Sequence, residues 1–256
     1  TMLISNFSNI VDTAFVGTLG TSQSAATGIV FGFMGILQAA AFMCGQGSGS
    51  IMSRKLGAKD LEEATRYAST GFFLSFSLAA VIGVLSLVFM DPLMRVLGST
   101  DTIMPYARTY VLYIIFSAPF FCSSLTLHNL LRYEGRAKLG TIGLMIGSVL
   151  NIAGDAFLMF VLKMGIAGAG LSTAVSQIIS FGILLSMFLR GKTQTRISIR
   201  YVSTEMSVIG NIMTTGFPSL LRQSLNSVAT MLLNQSAGLH GDEAVAAMSI
   251  VSRISY

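Results

Sequence analysis

The sequence has little charge for its length. Of its 256 residues, 11% are Asp, Glu, Lys or Arg and 52% are hydrophobic, whereas soluble domains contain about 25% charged residues. It also lacks stretches in which apolar and polar residues alternate, which are typical of transmembrane β-strands. The composition therefore argues against a soluble domain and against a β-barrel, and it predicts an integral membrane protein made of helices.

Motifs of several enzyme classes are missing as well. The two cysteines, Cys44 and Cys122, lie in apolar segments without zinc-site spacing, and we predict that they are small apolar fillers rather than a disulfide. No HExxH motif is present, and the glycine-rich stretch 45–50 (GQGSGS) has neither the spacing of a protease serine motif nor the Lys of a phosphate-binding loop. We therefore expect no enzyme activity, no catalytic residue and no cofactor.

Apolar segments long enough to cross a bilayer, about 20 residues each, recur along the chain. They cover residues 1–17, 25–51, 67–90, 109–131, 139–162, 167–189 and 208–235, and another begins near 244. The chain starts with Thr1 instead of Met, no basic region precedes the first segment, and the last segment stops short at Tyr256. We therefore expect a piece of a longer protein with a truncated first helix, and no signal peptide.

Positive charge is distributed unevenly between the connections. Eleven of the sixteen Lys and Arg residues lie in the three connections that follow the second, fourth and sixth apolar segments, at 54–66, 132–138 and 190–200. Because cytoplasmic loops are enriched in Lys and Arg, this pattern predicts a multi-pass protein of the plasma membrane with a cytoplasmic N-terminus. Orientation in the lipid bilayer thus accounts for the net charge of +5, and we expect no nucleic-acid partner.

A polar, basic stretch at 191–207 divides the chain. We predict a first transmembrane lobe of six helices at 1–190, a cytoplasmic interlobe linker at 191–207 and the start of a second lobe at 208–256. Aligning 17–30 with 238–251 matches six of fourteen positions, as expected for an internal repeat of six spans with parallel topology, a known transporter design. The predicted fold class is an all-α membrane protein with one six-helix lobe and part of a second.

Two of the eleven acidic residues, Asp12 and Asp155, lie inside apolar segments. A carboxylate near the centre of a membrane helix costs roughly 2.5 kcal/mol or more and usually marks an ion, proton or substrate site. At 1.5 Å per residue, Asp12 lies about 8 Å, Asp155 about 10 Å and Thr173 about 9 Å from the predicted outer ends of their spans. Asn151 precedes Asp155 by four residues and shares its helix face. These four residues are therefore predicted to lie at similar depth.

Two carboxylates, an amide oxygen and a hydroxyl form a set of hard ligands that suits a small cation such as sodium. Two neighbouring carboxylates also repel one another, which favours the binding of a shared proton. Asp12, Asn151, Asp155 and Thr173 are thus the predicted site for a coupling proton or sodium ion. The alternative is that Asn151 and Asp155 only form structural hydrogen bonds between helices.

Four other polar residues in apolar segments are candidates for contacting a substrate or supporting the site. They are Gln177, which follows Thr173 by one helical turn, and Gln38, His128 and Asn234. A structural role as buried hydrogen-bonding groups is the simpler interpretation of Gln38 and His128.

Several motifs resemble the multidrug and toxic compound extrusion (MATE) transporters, and they occur in the family's order. They are NIVDTAFVGTLG (9–20), SRKLGAKD (53–60), LLRYEGRAKLG (130–140), LNIAGDAFLMF (150–160) and GFPSLLRQ (216–223). The resemblance covers essentially the whole chain. It implies twelve helices in two lobes, of which this chain would supply the first lobe and the start of the second.

The resemblance also implies a function and a site. The family's cation site in the first lobe maps onto Asp12, Asn151, Asp155 and Thr173, and its activity would be export of small organic compounds, often cationic, in exchange for protons or sodium ions. No acid follows Pro218, which is similar to the DinF-like branch. The expected partners are small organic substrates, the bilayer and the remainder of the second lobe. A lipid-linked sugar flippase of the same superfamily is the alternative, and a receptor or channel also stays open.

Overall fold

The computed structural model describes residues 11, 14–99 and 101–238, and this part of the chain is almost entirely helical, without a strand. Its helices are α1 Thr21–Gly57, α2 Leu61–Val88, α3 Met90–Val96, α4 Met104–Tyr133, α5 Ala137–Asp155, α6 Ile166–Leu189 and α7 Met206–Gly238. A π-helical segment, Ala156–Val161, continues α5, and a short 3-10 turn, Ile199–Tyr201, lies between α6 and α7. Residues 14–17 are also helical.

Five of these helices are long and apolar enough to cross a membrane. They are Ser22–Gly57, Leu61–Val88, Met104–Tyr133, Ala137–Val161 and Ile166–Leu189, and each overlaps one of the predicted spans. The span predicted at 208–235 is also a helix, α7, although polar residues such as Asn211, Gln223 and Asn226 lower its hydropathy. Most of the span predicted at 1–17 and the start predicted near 244 lie outside the described residues.

The turn between α1 and α2 is stabilised by complementary charge. Arg54 and Lys55 lie in the last turn of α1, where cations interact favourably with the helix dipole. Asp60 caps α2 by accepting a hydrogen bond from the Glu63 backbone N–H at 3.2 Å. The Lys55 ammonium lies 3.9 Å from the carboxylates of both Asp60 and Glu63. This polar turn therefore marks where α1 ends and α2 begins.

Helix α1 packs against α7 at a crossing made by two glycines. A Cβ atom on Gly47 would collide with the Ile212 carbonyl oxygen of α7 and lie 3.1 Å from the Gly216 nitrogen. A Cβ atom on Gly216 would in turn collide with the Met43 carbonyl oxygen of α1. The two backbones are therefore in direct contact, which lipid-embedded helices achieve through small residues.

Helix α4 packs against α1, α2, α5 and α6 and is therefore central to the predicted first lobe. Its buried face contributes Tyr110, Ile114 and Cys122 to an apolar cluster that also contains Phe33 and Leu37 of α1. Cys122 donates a hydrogen bond to the Leu37 carbonyl at 3.3 Å. Cys44 and Cys122 are both buried free thiols, so the prediction that they fill apolar space is confirmed.

The segment between α6 and α7 lies against the C-terminal end of α4 and against α2. Thr193, Thr195 and Ile197 are buried while the residues between them are exposed, a two-residue period that is typical of extended chain. Thr195 donates hydrogen bonds from its backbone N–H at 2.7 Å and from its hydroxyl at 3.1 Å to one carboxylate oxygen of Glu134.

The same segment is also joined to α2. Ser69 donates a hydrogen bond to the Arg196 carbonyl at 3.1 Å. Further along, the Ser203 N–H donates to the Thr70 hydroxyl at 3.0 Å, and Arg66 forms an ion pair with Glu205 at 2.8 Å. The predicted linker is therefore attached to the first lobe along most of its length.

The glycine crossing generates a stability prediction. Gly216→Ala should separate α1 from α7 and lower the apparent melting temperature of the full-length protein in detergent, with a loss of about 1–3 kcal/mol of stability from overpacking. Gly210→Ala on the same helix is the matched control, since a Cβ there has no neighbour within 4 Å, and it should be neutral or stabilising. Equal melting temperatures for both variants would contradict the crossing.

Candidate functional site

Helices α5 and α6 form an antiparallel hairpin in which glycines of α5 lie against side chains of α6. The pairs are Gly143 with Leu184, Gly147 with Ser180 and Gly154 with Ser172. Ser180 also donates a hydrogen bond to the Gly143 carbonyl at 3.0 Å. Small residues on α5 thus bring polar groups of α6 into contact with the α5 backbone and fix the register of the hairpin.

This register brings Asn151 and Thr173 together. The Asn151 side-chain amide donates to the Thr173 hydroxyl at 3.3 Å, and that hydroxyl donates to the Ala169 carbonyl at 2.9 Å. Ser172 adds a second connection by donating to the Asn151 backbone carbonyl at 2.9 Å. The amide oxygen of Asn151 and the hydroxyl oxygen of Thr173 are therefore held by neighbouring helices at one level of the hairpin.

Asp155 is the last residue of α5, one helical turn beyond Asn151. Its exposed fraction is 0%, although it lies in a helix that is apolar enough to cross a membrane. The chain then changes from α- to π-helix at Ala156–Val161, a feature that often occurs at functional sites. Since an ionised carboxylate is costly in such surroundings, Asp155 requires a proton, a cation or hydrogen-bonding groups to balance it.

Asp12 lies outside the described residues. Phe15, three residues further along the chain, has its ring edge-on to that of Phe160 in the π-helical segment, with 5.4 Å between the ring centroids. Val16 is fully buried and belongs to the main apolar cluster, as does Met159. Residues 14–17 thus pack beside the segment that follows Asp155.

Gln177 connects the polar residues of α6 near the candidate site to helix α4. Its side-chain oxygen accepts a hydrogen bond of 2.8 Å from the hydroxyl of Ser117, which is fully buried on α4. The Ser117 hydroxyl oxygen also lies 3.1 Å from the Ile114 carbonyl oxygen, which can share the same hydrogen. Gln177 lies on the Thr173 face one turn away, as the sequence spacing predicts, and its contact shows that α4 forms one wall beside the candidate site.

Gln38 lies elsewhere, at the contact between α1 and α7. Its side-chain oxygen accepts from Gln223 at 3.4 Å, and two turns away Ser219 donates to the side-chain oxygen of Gln46 at 2.6 Å. Asn234 belongs to α7, and its side chain is outside the described part of the chain. Gln38 therefore takes part in the α1–α7 contact and not in the group around Asn151.

His128 is distant from the candidate site. It packs against Gly140, where a Cβ would come within 2.8 Å of the imidazole Nδ1. Gly140 precedes Asn151 by eleven residues, which corresponds to about 16 Å along α5. The position of His128 agrees with a structural role in the contact between α4 and α5.

Three features of the site are missing from the sequence prediction. These are the hydroxyls of Ser117 and Ser172 and the π-helical segment after Asp155. The serines at 172, 176 and 180 recur at four-residue spacing and are all buried, which is a usable signal for a polar helix face. The π-helix leaves no comparable signal, because its sequence, AFLMFV, is an ordinary apolar run.

The oxygen atoms of Asn151, Asp155 and Thr173 provide the types of ligand that a small hard cation prefers. Within residues 11, 14–99 and 101–238, no group of three or more His, Cys, Asp or Glu residues could hold a metal ion. The arrangement is suited to a proton or an alkali cation, with one carboxylate supplying the charge.

Comparison with known proteins agrees with this architecture. The chain is 29% identical to the multidrug export protein MepA of Staphylococcus saprophyticus, an alignment that covers 98% of the chain and 56% of the relative. It superposes on a MOP superfamily transporter from Pyrococcus furiosus with a TM-score of 0.91 and 28% identity, over 99% of this chain and 57% of that one. The chain thus spans little more than half the length of these relatives.

A second solved structure, the outward-facing conformation of a multidrug resistance MATE family transporter, gives the same TM-score of 0.91 and 28% identity, over 99% of this chain and 57% of the other. The family model named MatE matches residues 1–157, which include α1 to α5 and the start of the π-helical segment. Because this match covers more than half of the sequence, the chain belongs to the MATE transporter family.

Proposed function

We propose that the full-length protein is a secondary active antiporter that exports organic compounds in exchange for protons or sodium ions. Membership of the MATE family and similarity to a multidrug export protein support the export activity. The observation that carries the coupling is the complete burial of Asp155, an acid one turn from the Asn151–Thr173 pair, in a membrane-spanning helix.

In this proposal the coupling ion neutralises Asp155. A proton would bind the carboxylate directly, whereas sodium would take additional oxygen ligands from Asn151 and Thr173. Asp12 is the proposed second acid of the site. Because the bound ion neutralises a carboxylate that is buried in a low-dielectric region, the loaded and empty sites differ in energy, and this difference can drive a change of conformation.

The proposed orientation puts the end of the lobe that holds the α1–α2, α4–α5 and α6–α7 connections in the cytoplasm. Eleven Lys and Arg residues lie in these three connections and the adjoining ends of the helices, as the positive-inside rule predicts. The plasma membrane is the proposed location, with the N-terminus in the cytoplasm. Asn151, Asp155 and Thr173 then lie in the outer half of the bilayer.

The alternative of a lipid-linked sugar flippase has less support. A pyrophosphate group carries several negative charges, so its site would need several cations between the helices. In the described part of the chain, Arg222 is the single Lys or Arg far from the ends of a membrane helix. The distribution of charge therefore favours an organic, often cationic, substrate.

The coupling proposal predicts that Asp155→Asn uncouples transport. In vesicles containing the full-length protein, gradient-driven efflux should fall roughly tenfold or more, because the amide keeps the size but cannot balance an ion. Asp91→Asn is the matched control, since Asp91 is a half-exposed acid that pairs with Arg108, and it should transport normally. Wild-type efflux by an Asp12→Asn, Asp155→Asn double variant would reject the site.

A second prediction distinguishes the two ions. Thr173→Ala should weaken sodium-driven efflux severalfold, because the ion loses an oxygen ligand, but it should change proton-driven efflux much less. Thr173→Ser keeps the hydroxyl and is the matched control. The measurement is efflux with the sodium and proton gradients imposed separately. A Ser variant as defective as the Ala variant would show that the hydroxyl is not the group that matters.

The orientation is tested by labelling with a membrane-impermeant maleimide. Lys59→Cys and Lys163→Cys are a matched pair, because both residues are exposed and have positive φ angles of 62° and 54°. In intact cells the reagent should label position 163 and not position 59. The native Cys44 and Cys122 are buried, at 0% and 1% exposure, so they should contribute little background. Labelling at position 59 from outside would reverse the proposed topology.

A further inference from the structure

A cavity of about 330 Å³ lies where the polar end of α1 meets α2 and α7. Its described lining residues, which define what we call the seam cavity, are Ile51, Arg54, Lys55, Tyr67, Asn211 and Thr215. Two of these residues carry a positive charge and none is acidic. Three others offer a phenol, an amide and a hydroxyl, so the cavity combines cations with neutral groups that form hydrogen bonds.

The charges of the seam cavity are only partly balanced by nearby acids. Within the described part of the chain, Arg54 forms no ion pair, and its Nε donates to the Ser50 carbonyl at a long 3.4 Å. Lys55 faces Asp60 and Glu63 at 3.9 Å each, which is the outer limit of an ion pair. Glu63 is also closer to another cation, since its carboxylate lies 3.0 Å from Arg66.

The neutral groups come from two different helices. Asn211 of α7 donates to the buried Tyr67 hydroxyl of α2 at 3.3 Å, so this contact does not use the O–H hydrogen of Tyr67, a residue that lines the cavity. Thr215 follows Asn211 by four residues and lies on the same face of α7. Helix α7 thus supplies hydrogen-bonding groups opposite the two cations of α1.

The position of the cavity decides which ligands can reach it. Helix α1 has 37 residues and is about 55 Å long, so its last turns extend beyond a hydrocarbon core of about 30 Å. Arg54 and Lys55 are in the final turn and therefore lie at the level of the lipid headgroups or just outside it. Basic pockets between membrane helices at this level can bind anionic headgroups.

We propose that the seam cavity binds a phosphate group, supplied either by an anionic phospholipid or by a soluble phosphate. Arg54 and Lys55 provide the charge, and Thr215 and Tyr67 provide neutral donors. Because the cavity is formed by the first lobe and by the first helix of the second, a bound phosphate joins α1 to α7 and stabilises the conformation in which they are in contact.

The proposal can be tested on the full-length protein in phosphatidylcholine nanodiscs. One arm adds phosphatidylglycerol in increasing proportion, and the other adds inorganic phosphate or pyrophosphate to the buffer. Melting temperature and the number of retained lipids, measured by native mass spectrometry, are followed in both arms. Stabilisation in the first arm identifies a lipid headgroup and stabilisation in the second identifies a soluble anion, and either outcome supports the site.

The variants separate this site from a general effect of surface charge. Arg54→Gln with Lys55→Gln should weaken binding of the active probe roughly tenfold or more. The matched control, Arg190→Gln with Arg200→Gln, removes the same charge from exposed positions at the same end of the lobe and should change binding about twofold at most. Thr215→Val, which removes only a hydroxyl, should weaken binding severalfold.

Two outcomes would overturn the proposal. One is an equal loss of binding in the site variant and the control variant, which would mean that the phosphate responds to the surface potential alone. The other is the absence of any difference between wild type and the Arg54→Gln, Lys55→Gln variant in both arms. Neither outcome depends on transport, so the result is independent of the coupling proposal.

Discussion

Close approach of helix backbones is the constraint on which the rest of this structure depends. Lipid tails are as apolar as the side chains that face them, so helices in a bilayer gain little from burying apolar surface and associate through tight packing and hydrogen bonds. Gly143, Gly147 and Gly154 provide this approach between α5 and α6, and Gly47 and Gly216 provide it between α1 and α7. Short side chains at these positions let polar groups on neighbouring helices reach one another.

The two contacts differ in the hydrogen bonds that accompany them. Between α5 and α6, serine hydroxyls donate to backbone carbonyls of the opposite helix, as Ser172 does to Asn151 and Ser180 to Gly143. Both serines are buried, so breaking these bonds would leave donors without water, at a cost of about 1–3 kcal/mol each. The hairpin that carries Asn151, Asp155 and Thr173 is therefore held as a rigid unit.

The sequence predicts the parts of this structure that depend on local composition. Five membrane spans follow from hydropathy, and the pairing of Asn151 with Thr173 follows from their depth once α5 and α6 are known to be antiparallel neighbours. The role of Asp12 and Asp155 in coupling and the DinF-like branch stay predictions. The sequence favours a structural role for Gln38 and His128 but does not predict their partners, because a polar residue in an apolar helix looks the same whether it faces α7, as Gln38 does, or a glycine of α5, as His128 does.

Other features depend on packing that has no sequence period. The π-helical segment after Asp155 and the attachment of residues 193–205 to α2 and Glu134 arise from contacts distant in the chain.

The α1–α7 contact also joins residues that are distant in the chain, and the hydrogen bonds across it determine how easily the two helices can separate. Its side-chain bonds, Gln46 with Ser219 and Gln38 with Gln223, join partly buried groups, which water can replace at a net cost of only about 0.5–1.5 kcal/mol each. Since the hydrogen bonds of the hairpin are costly to break and the side-chain bonds of the α1–α7 contact are not, a conformational change that preserves the proposed ion site would separate α1 from α7 and keep α5 with α6.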